Sequence, residues 1–239
     1  MIKIDIIPVY SDNYAYLIQT PDGTTAVIDP GEAEPVIDVL DQRGLTLNYI
    51  LNTHHHWDHV DGNPALRKRY DLQVVAPAKE VKKVGHVDIP LHDEDVFTLG
   101  DQKIHIIETP GHTIGGICFY FPASQVVFTG DSVFSMGCGR LFEGTAADMF
   151  ASFQKIKSLP DDTLIYCGHE YTKGNAGFCL SQDKNNPDLK KRIEEIKQLR
   201  AQNLPTIPIS LSIEKKTNIF MKAKSADEFA ALRKKKDRS

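Results

Sequence analysis

Residues 53–59, THHHWDH, crowd His54, His55, His56, Asp58 and His59 into one short stretch. Neighbouring imidazoles repel once protonated, and buried ones need partners, so such crowding is costly unless a cation offsets it. Neutral imidazole and carboxylate are donors that zinc and related divalent ions accept. His54 and His56 alternate and can face one ion, whereas Asp58 and His59 lie further on and can face a second. His55 is expected to point away into the structure.

Two ions need more donors than one loop supplies. Three other segments repeat a single pattern, strand then glycine then ligand-type residue: IETPGH ending at His112, VVFTGD ending at Asp131, and LIYCGH ending at His169. Glycine lets the chain turn sharply there, so the next side chain can project over the end of a sheet. A lone histidine is more often structural than functional, and His86, His92 and His105, in polar or alternating contexts, are assigned no role. Seven donors at strand ends are a different matter, because packing alone does not explain them.

The elements that must position these donors can be read from periodicity. KIDIIPV (3–9), AYLIQT (15–20) and TAVIDP (25–30) alternate as strands, and PDGT (21–24) makes the last two a hairpin. A helix is expected over 34–44, stopping at Gly44, then a buried strand over 47–53 that delivers the histidine cluster. A helix near 63–70, a strand at 73–77 and four strand-like runs between 95 and 131 follow. An amphipathic helix over 146–160 precedes a last strand, 163–170. The cluster therefore lies between a strand and a helix, where α/β proteins collect ligands. After His169 the texture turns helical, with Pro187 placed to open a helix over 185–203 and a closing helix over 225–237. The expected organisation is an α/β domain, residues 1–170, and a small helical domain, residues 171–239.

Apolar residues make up 41% of the 239 and charged residues 25%, the balance of a cored globular protein. No run approaches the roughly 20 apolar residues that span a bilayer. The start, MIKIDIIPVY, lacks the basic and apolar regions of an export signal, and the four cysteines form no CxxC pair. A cytoplasmic, membrane-free, monomeric protein is expected. The net charge of −4 hides an asymmetry: residues 1–170 carry 12 Lys and Arg against 24 Asp and Glu, residues 171–239 carry 16 against 8. A basic tail attracts anions. Without aromatic interleaving or a broad basic stripe, nucleic acid is not the expected partner.

The HxHxDH pattern with His112, Asp131 and His169 resembles the metallo-β-lactamase superfamily. Narrower stretches, SDNY (11–14), VIDPG (27–31), TPGHTIGGICFY (109–120), GDSVFSMGCGRLFEGT (130–145), YCGHEYT (166–172) and the FAALRKKKD ending, resemble the hydroxyacylglutathione hydrolase (glyoxalase II) family within it. The resemblance covers nearly the whole chain. It implies an αββα sandwich of two mixed sheets flanked by helices, with a helical C-terminal domain that binds glutathione. It implies His54, His56 and His112 on one ion, Asp58, His59 and His169 on a second, and Asp131 bridging, with zinc the expected metal and iron or manganese also compatible. It further implies hydrolysis of the thioester S-D-lactoylglutathione, with Asp58 also aiming the nucleophilic hydroxide as a catalytic residue. Arg140, Phe142, Tyr171, Arg233 and Lys236 are the implied glutathione contacts. Asp61 stands where the family usually has glycine. An alternative within the superfamily is a mononuclear iron dioxygenase acting on glutathione persulfide.

Overall fold

The computed structural model describes residues Met1–Ser239. They fall into two compact units: Met1–Glu108 with Gly115–Ser124, and Thr109–Ile114 with Gln125–Ser239.

The first unit opens with β1 (Lys3–Val9), β2 (Asn13–Gln19) and β3 (Thr25–Ile28), an antiparallel meander with Val9 opposite Asn13 and Gln19 opposite Thr25. The chain then changes mode. Helix α1 (Glu34–Arg43), ended by Gly44 at φ +61°, crosses over to β4 (Tyr49–Leu51), which pairs parallel with β3. A short turn of helix, α2 (Trp57–Val60), and α3 (Asn63–Arg69) lead to β5 (Gln73–Pro77), and α4 (Val81–Val84) to β6 (Ile89–Leu91), both strands again parallel to their predecessors. The result is a six-stranded sheet in sequence order. Its apolar face, built from Ile7, Val9, Leu17, Val27, Ile50 and Val74, packs on Val36, Leu40 and Leu66 of the crossover helices. Parallel β4 points its C-terminal end into residues 52–56, which places the histidine cluster at a strand terminus. Strands β7 (Val96–Leu99), β8 (Gln102–Glu108) and β9 (Ile117–Phe121) form an antiparallel meander in the same unit.

In the second unit β10 (Val126–Gly130) is followed by a tight hairpin, β11 (Val133–Phe134) and β12 (Gly137–Cys138), and by α5 (Ala146–Lys157). Helix α5 opens with a capping box: Thr145 accepts from the Asp148 amide, and the Asp148 carboxylate accepts from the Thr145 amide. Strand β13 (Leu164–Cys167) lies parallel to β10, and helices α6 (Thr172–Gln182) and α7 (Pro187–Ala201) follow it. Pro187 sits at the start of α7, capped by the Asn186 side chain. Strand β14 (Ile209–Ser210) then pairs antiparallel with β13. Helices α8 (Leu211–Thr217), α9 (Ile219–Lys222) and α10 (Ala226–Lys236) complete the chain. Phe153 of α5, Phe220 of α9 and Phe229 of α10 bury completely against one another, with Phe153 and Phe220 each 5.1 Å from Phe229. Helices α6, α8 and α9 go beyond the helices the periodicity predicts. Gly174 and Gly177 dilute α6, and the prolines of LPTIPIS mask the start of α8.

Glu214 of α8 ties this unit together. Fully buried, its carboxylate accepts from the Ser135 hydroxyl (3.0 Å), the Met136 amide (2.9 Å) and the Asn218 side-chain amide (3.0 Å). Burial raises its pKa, against these hydrogen bonds, which lower it. Asn218 in turn donates to the Gly137 carbonyl, so the β11–β12 hairpin hangs from α8 and α9.

Candidate metal centre

In the first unit, His54, His56, Asp58 and His59 come together as the spacing predicts. The His54 Nε2 and His56 Nδ1 atoms face each other at 3.2 Å, the His54 and His59 rings lie 4.2 Å apart, and His59 Nε2 is 3.5 Å from Asp58 Oδ2. Partners fix which nitrogen carries the proton. Asp29, only 2% exposed, accepts from the Thr53 amide (2.7 Å), the Thr53 hydroxyl (2.6 Å) and His59 Nδ1 (3.1 Å). Because the Thr53 hydroxyl gives its hydrogen to Asp29, its oxygen is left to accept from His54 Nδ1 at 3.0 Å. His54 and His59 therefore both carry hydrogen on Nδ1 and present Nε2 lone pairs. A carboxylate behind a ligating imidazole fixes its tautomer and raises its basicity.

Asn13 is the other residue the sequence pattern does not single out. From the start of β2 it donates to Asp58 Oδ2 at 2.8 Å and fixes that carboxylate. His55 turns away, as expected, and its Nδ1 meets buried Glu80 at 2.8 Å. Glu80 also accepts from the Gly115 amide at 3.0 Å, so it braces the loop from behind.

In the second unit, His112, Asp131 and His169 converge. Asp131 Oδ2 lies 3.3 Å from His112 Nε2 and 3.3 Å from His169 Nε2, and all three side chains are buried. His112 Nδ1 donates to the Arg140 carbonyl at 2.8 Å, and a carbonyl only accepts. With Nδ1 committed there, Nε2 is the atom that faces Asp131, and an imidazole nitrogen beside a carboxylate oxygen is a donor pair that a divalent ion accepts. Gly111 at φ +148° and Gly130 at φ +47° adopt the backbone that the Gly–ligand pattern anticipates.

The expected glutathione contacts all lie in this second unit. The Arg140 guanidinium is exposed and stacks over the Phe142 ring at 5.9 Å, and Phe142 meets the His112 ring edge-on at 5.2 Å. Tyr171 lies flat on His169, ring centroids 4.5 Å apart at 9°, with Phe134 edge-on to both. Arg233 is 7% exposed, donates through Nη1 to the Cys138 carbonyl at 2.9 Å, pairs with Asp237 and covers Phe220. Lys236, half-buried over the Phe178 ring, has its pKa lowered by burial and by the Arg233 charge.

Residues 11–169 match the profile of the metallo-β-lactamase superfamily, and residues 170–239 match that of the hydroxyacylglutathione hydrolase C-terminus. The chain is 45% identical, over 98% of its length and 99% of the relative's, to a hydroxyacylglutathione hydrolase from Pelagibacter ubique. It is 48% identical to one from Ruegeria pomeroyi, over 93% and 88%. This chain belongs to the hydroxyacylglutathione hydrolase family. Among solved structures it is similar to ETHE1 from Myxococcus xanthus, with a TM-score of 0.74 at 25% identity over 98% of this chain and 90% of that one. It is also similar to a chain described as TTHA1623 in a di-iron-bound form, with a TM-score of 0.62 at 28% identity over 70% and 91%. The hydroxyacylglutathione hydrolase family thus accounts for both the metallo-β-lactamase fold, with its mixed sheets and helices, and the helical C-terminal part. The His and Asp clusters suit two divalent metal ions. No helix is long and apolar enough to cross a membrane.

Proposed function

We propose that this chain hydrolyses S-D-lactoylglutathione, and 2-hydroxyacylglutathiones more broadly, to glutathione and the free hydroxy acid, in the removal of methylglyoxal. The observation that carries the reading is the match of residues 170–239 to the hydroxyacylglutathione hydrolase C-terminus, which a persulfide dioxygenase does not explain.

In this reading His54, His56 and His112 hold one divalent ion, Asp58, His59 and His169 hold a second, and Asp131 serves both. Zinc suits these nitrogen and oxygen donors best, and iron or manganese also fits. When bound, the ions would lower the pKa of a water to roughly 7 and polarise the thioester carbonyl. The chain supplies the rest. Asp29 keeps His59 and, through Thr53, His54 in the tautomer that would offer the Nε2 lone pair to a metal. Asn13 holds one oxygen of Asp58, so that this carboxylate accepts a hydrogen bond from the attacking water and aims it. Arg140 and Lys236 offer positive charge to the glutathione carboxylates, and Phe142 and Tyr171 offer apolar faces beside His112 and His169. The Arg233 guanidinium, committed to the Cys138 carbonyl and Asp237, orders the loop that carries Arg140. A thiolate leaves readily, so position and nucleophile are the main demands.

Thioester absorbance tests this directly. Zinc-loaded protein is expected to hydrolyse S-D-lactoylglutathione, to lose the activity on chelation and to regain it when zinc is restored. Asp58→Ala is expected to lower kcat on the order of 10²–10³-fold or more with the fold intact by circular dichroism. Full activity after chelation, or an unaffected Asp58→Ala, removes the proposal.

A further inference from the structure

Between His169 and Tyr171 the chain buries a carboxylate: the Glu170 side chain is 8% exposed. Burying a charge is costly unless its oxygens are matched, so a residue needed only for packing would be apolar. Both oxygens are matched, and by one residue. The Thr206 amide donates to Oε2 at 2.8 Å and the Thr206 hydroxyl to Oε1 at 2.7 Å. This two-point grip fixes the plane of the carboxylate as well as its place, which a single bond does not. The Arg200 guanidinium, 3.9 Å from Oε2, adds positive charge beside it.

Thr206 is itself held. It lies between α7 and β14, 2% exposed, and its carbonyl accepts from Arg192 Nη2 at 2.5 Å. Arg200 donates to the Leu204 carbonyl at 2.8 Å, so two guanidiniums of α7 pin residues 204–206. The Thr206 hydroxyl also bonds that of Thr172, the first residue of α6, at 2.6 Å. Thr206 therefore grips residues 170 and 172, on either side of Tyr171, and Glu170 directly follows His169. With both points fixed, the backbone that carries the two rings has little freedom to swing. The rings stay stacked, 4.5 Å apart at 9°.

We propose that Glu170 and Thr206 are positioning residues, a latch through which α7 sets His169 and Tyr171 together. The latch rests on the proposed function, in which His169 holds a metal ion and Tyr171 meets the substrate. The two roles become inseparable at this point of the chain. Loss of the Tyr171 ring alone removes a substrate contact, whereas release of Glu170 lets ligand and contact move at once. A displaced ligand holds its ion less tightly, and a substrate contact displaced with it raises KM.

The test uses the full-length protein loaded with zinc. Thr206→Val removes the hydroxyl but keeps the amide and the branched shape, Thr206→Ser keeps the hydroxyl, and Glu170→Gln sets an NH2 group against one of the two donors. In Thr206→Val and Glu170→Gln, one of the two zinc ions is expected to pass to a chromogenic chelator about tenfold more readily than in the wild type, the other unchanged. KM for S-D-lactoylglutathione is expected to rise about tenfold in the same variants. Thr206→Ser should stay within about threefold of the wild type on both measures. A role in stability alone would lower the Tm of Thr206→Val and leave zinc release and KM as they were, and that result overturns the latch. So does a Thr206→Ser protein as impaired as Thr206→Val, or an equal loosening of both ions. Should Thr206→Val fail to fold, Glu170→Gln carries the same test. A wild-type protein inert towards the thioester removes the proposed activity, and zinc release then decides the latch alone.

Discussion

The two units hold their ligands by different means. In the first, side chains do the holding: Asp29 on His59 and, through the Thr53 hydroxyl, on His54, and Asn13 on Asp58. In the second, main chain and aromatic faces do it: the Arg140 carbonyl on His112, the flat face of Tyr171 on His169. A buried carboxylate tunes the charge of what it touches, so in the proposed site the first set would govern how tightly a cation is held. A carbonyl or a ring face tunes little, but both belong to residues proposed to touch the substrate. The second set therefore joins ligand geometry to substrate recognition.

Replacing Asp29 should have the largest effect. Asp29→Asn cannot accept from all three donors, because one oxygen becomes an NH2 group that confronts them. Metal affinity, read by competition with a chromogenic chelator, is expected to fall about 10–100-fold, with hydrolysis falling alongside. A variant that keeps wild-type affinity would erase the distinction drawn between the units. Tyr171→Ala should act on the other side of the comparison: KM rises about tenfold while kcat and metal content change little, the signature of lost substrate binding. A fall in metal content with KM unchanged would place Tyr171 with Asp29 instead.

The smallest effect is expected from pH. The Lys236 pKa is lowered from 10.5, first by burial and then by Arg233, so its charge is lost earlier on an alkaline titration than that of a free lysine. In the folded protein this loss weakens carboxylate binding, and KM should begin to rise a few-fold below pH 10.5. The same depression means that the neutral form is favoured on folding, so the group lowers stability wherever the unfolded chain keeps it charged. Lys236→Met should show a high KM at neutral pH and no further alkaline rise. A KM that rises with pH identically in both proteins would assign the titration elsewhere.

Much of this was legible in residue spacing. The seven ligand-type residues stand out because four are crowded and three follow a glycine at a strand end, and the parallel strand over 49–51 does deliver the cluster. Asp29 and Asn13 do not stand out. An aspartate in VIDPG and an asparagine in SDNY look like ordinary turn residues until folding brings β2, β3 and β4 side by side. Helix α6 stayed hidden because Gly174 and Gly177 weaken both its propensity and its apolar stripe. Within LRKKKD the spacing does not say which cation is buried, and only the packing of α10 on Phe220 and the Cys138 carbonyl selects Arg233.

His112 takes its orienting bond from the backbone of position 140, whereas the side chain there projects into solvent. Mutation can exchange that side chain freely, yet no coded residue lacks the oxygen that His112 uses. In the proposed site, substrate contacts at this position could change while the bond that orients His112 is kept.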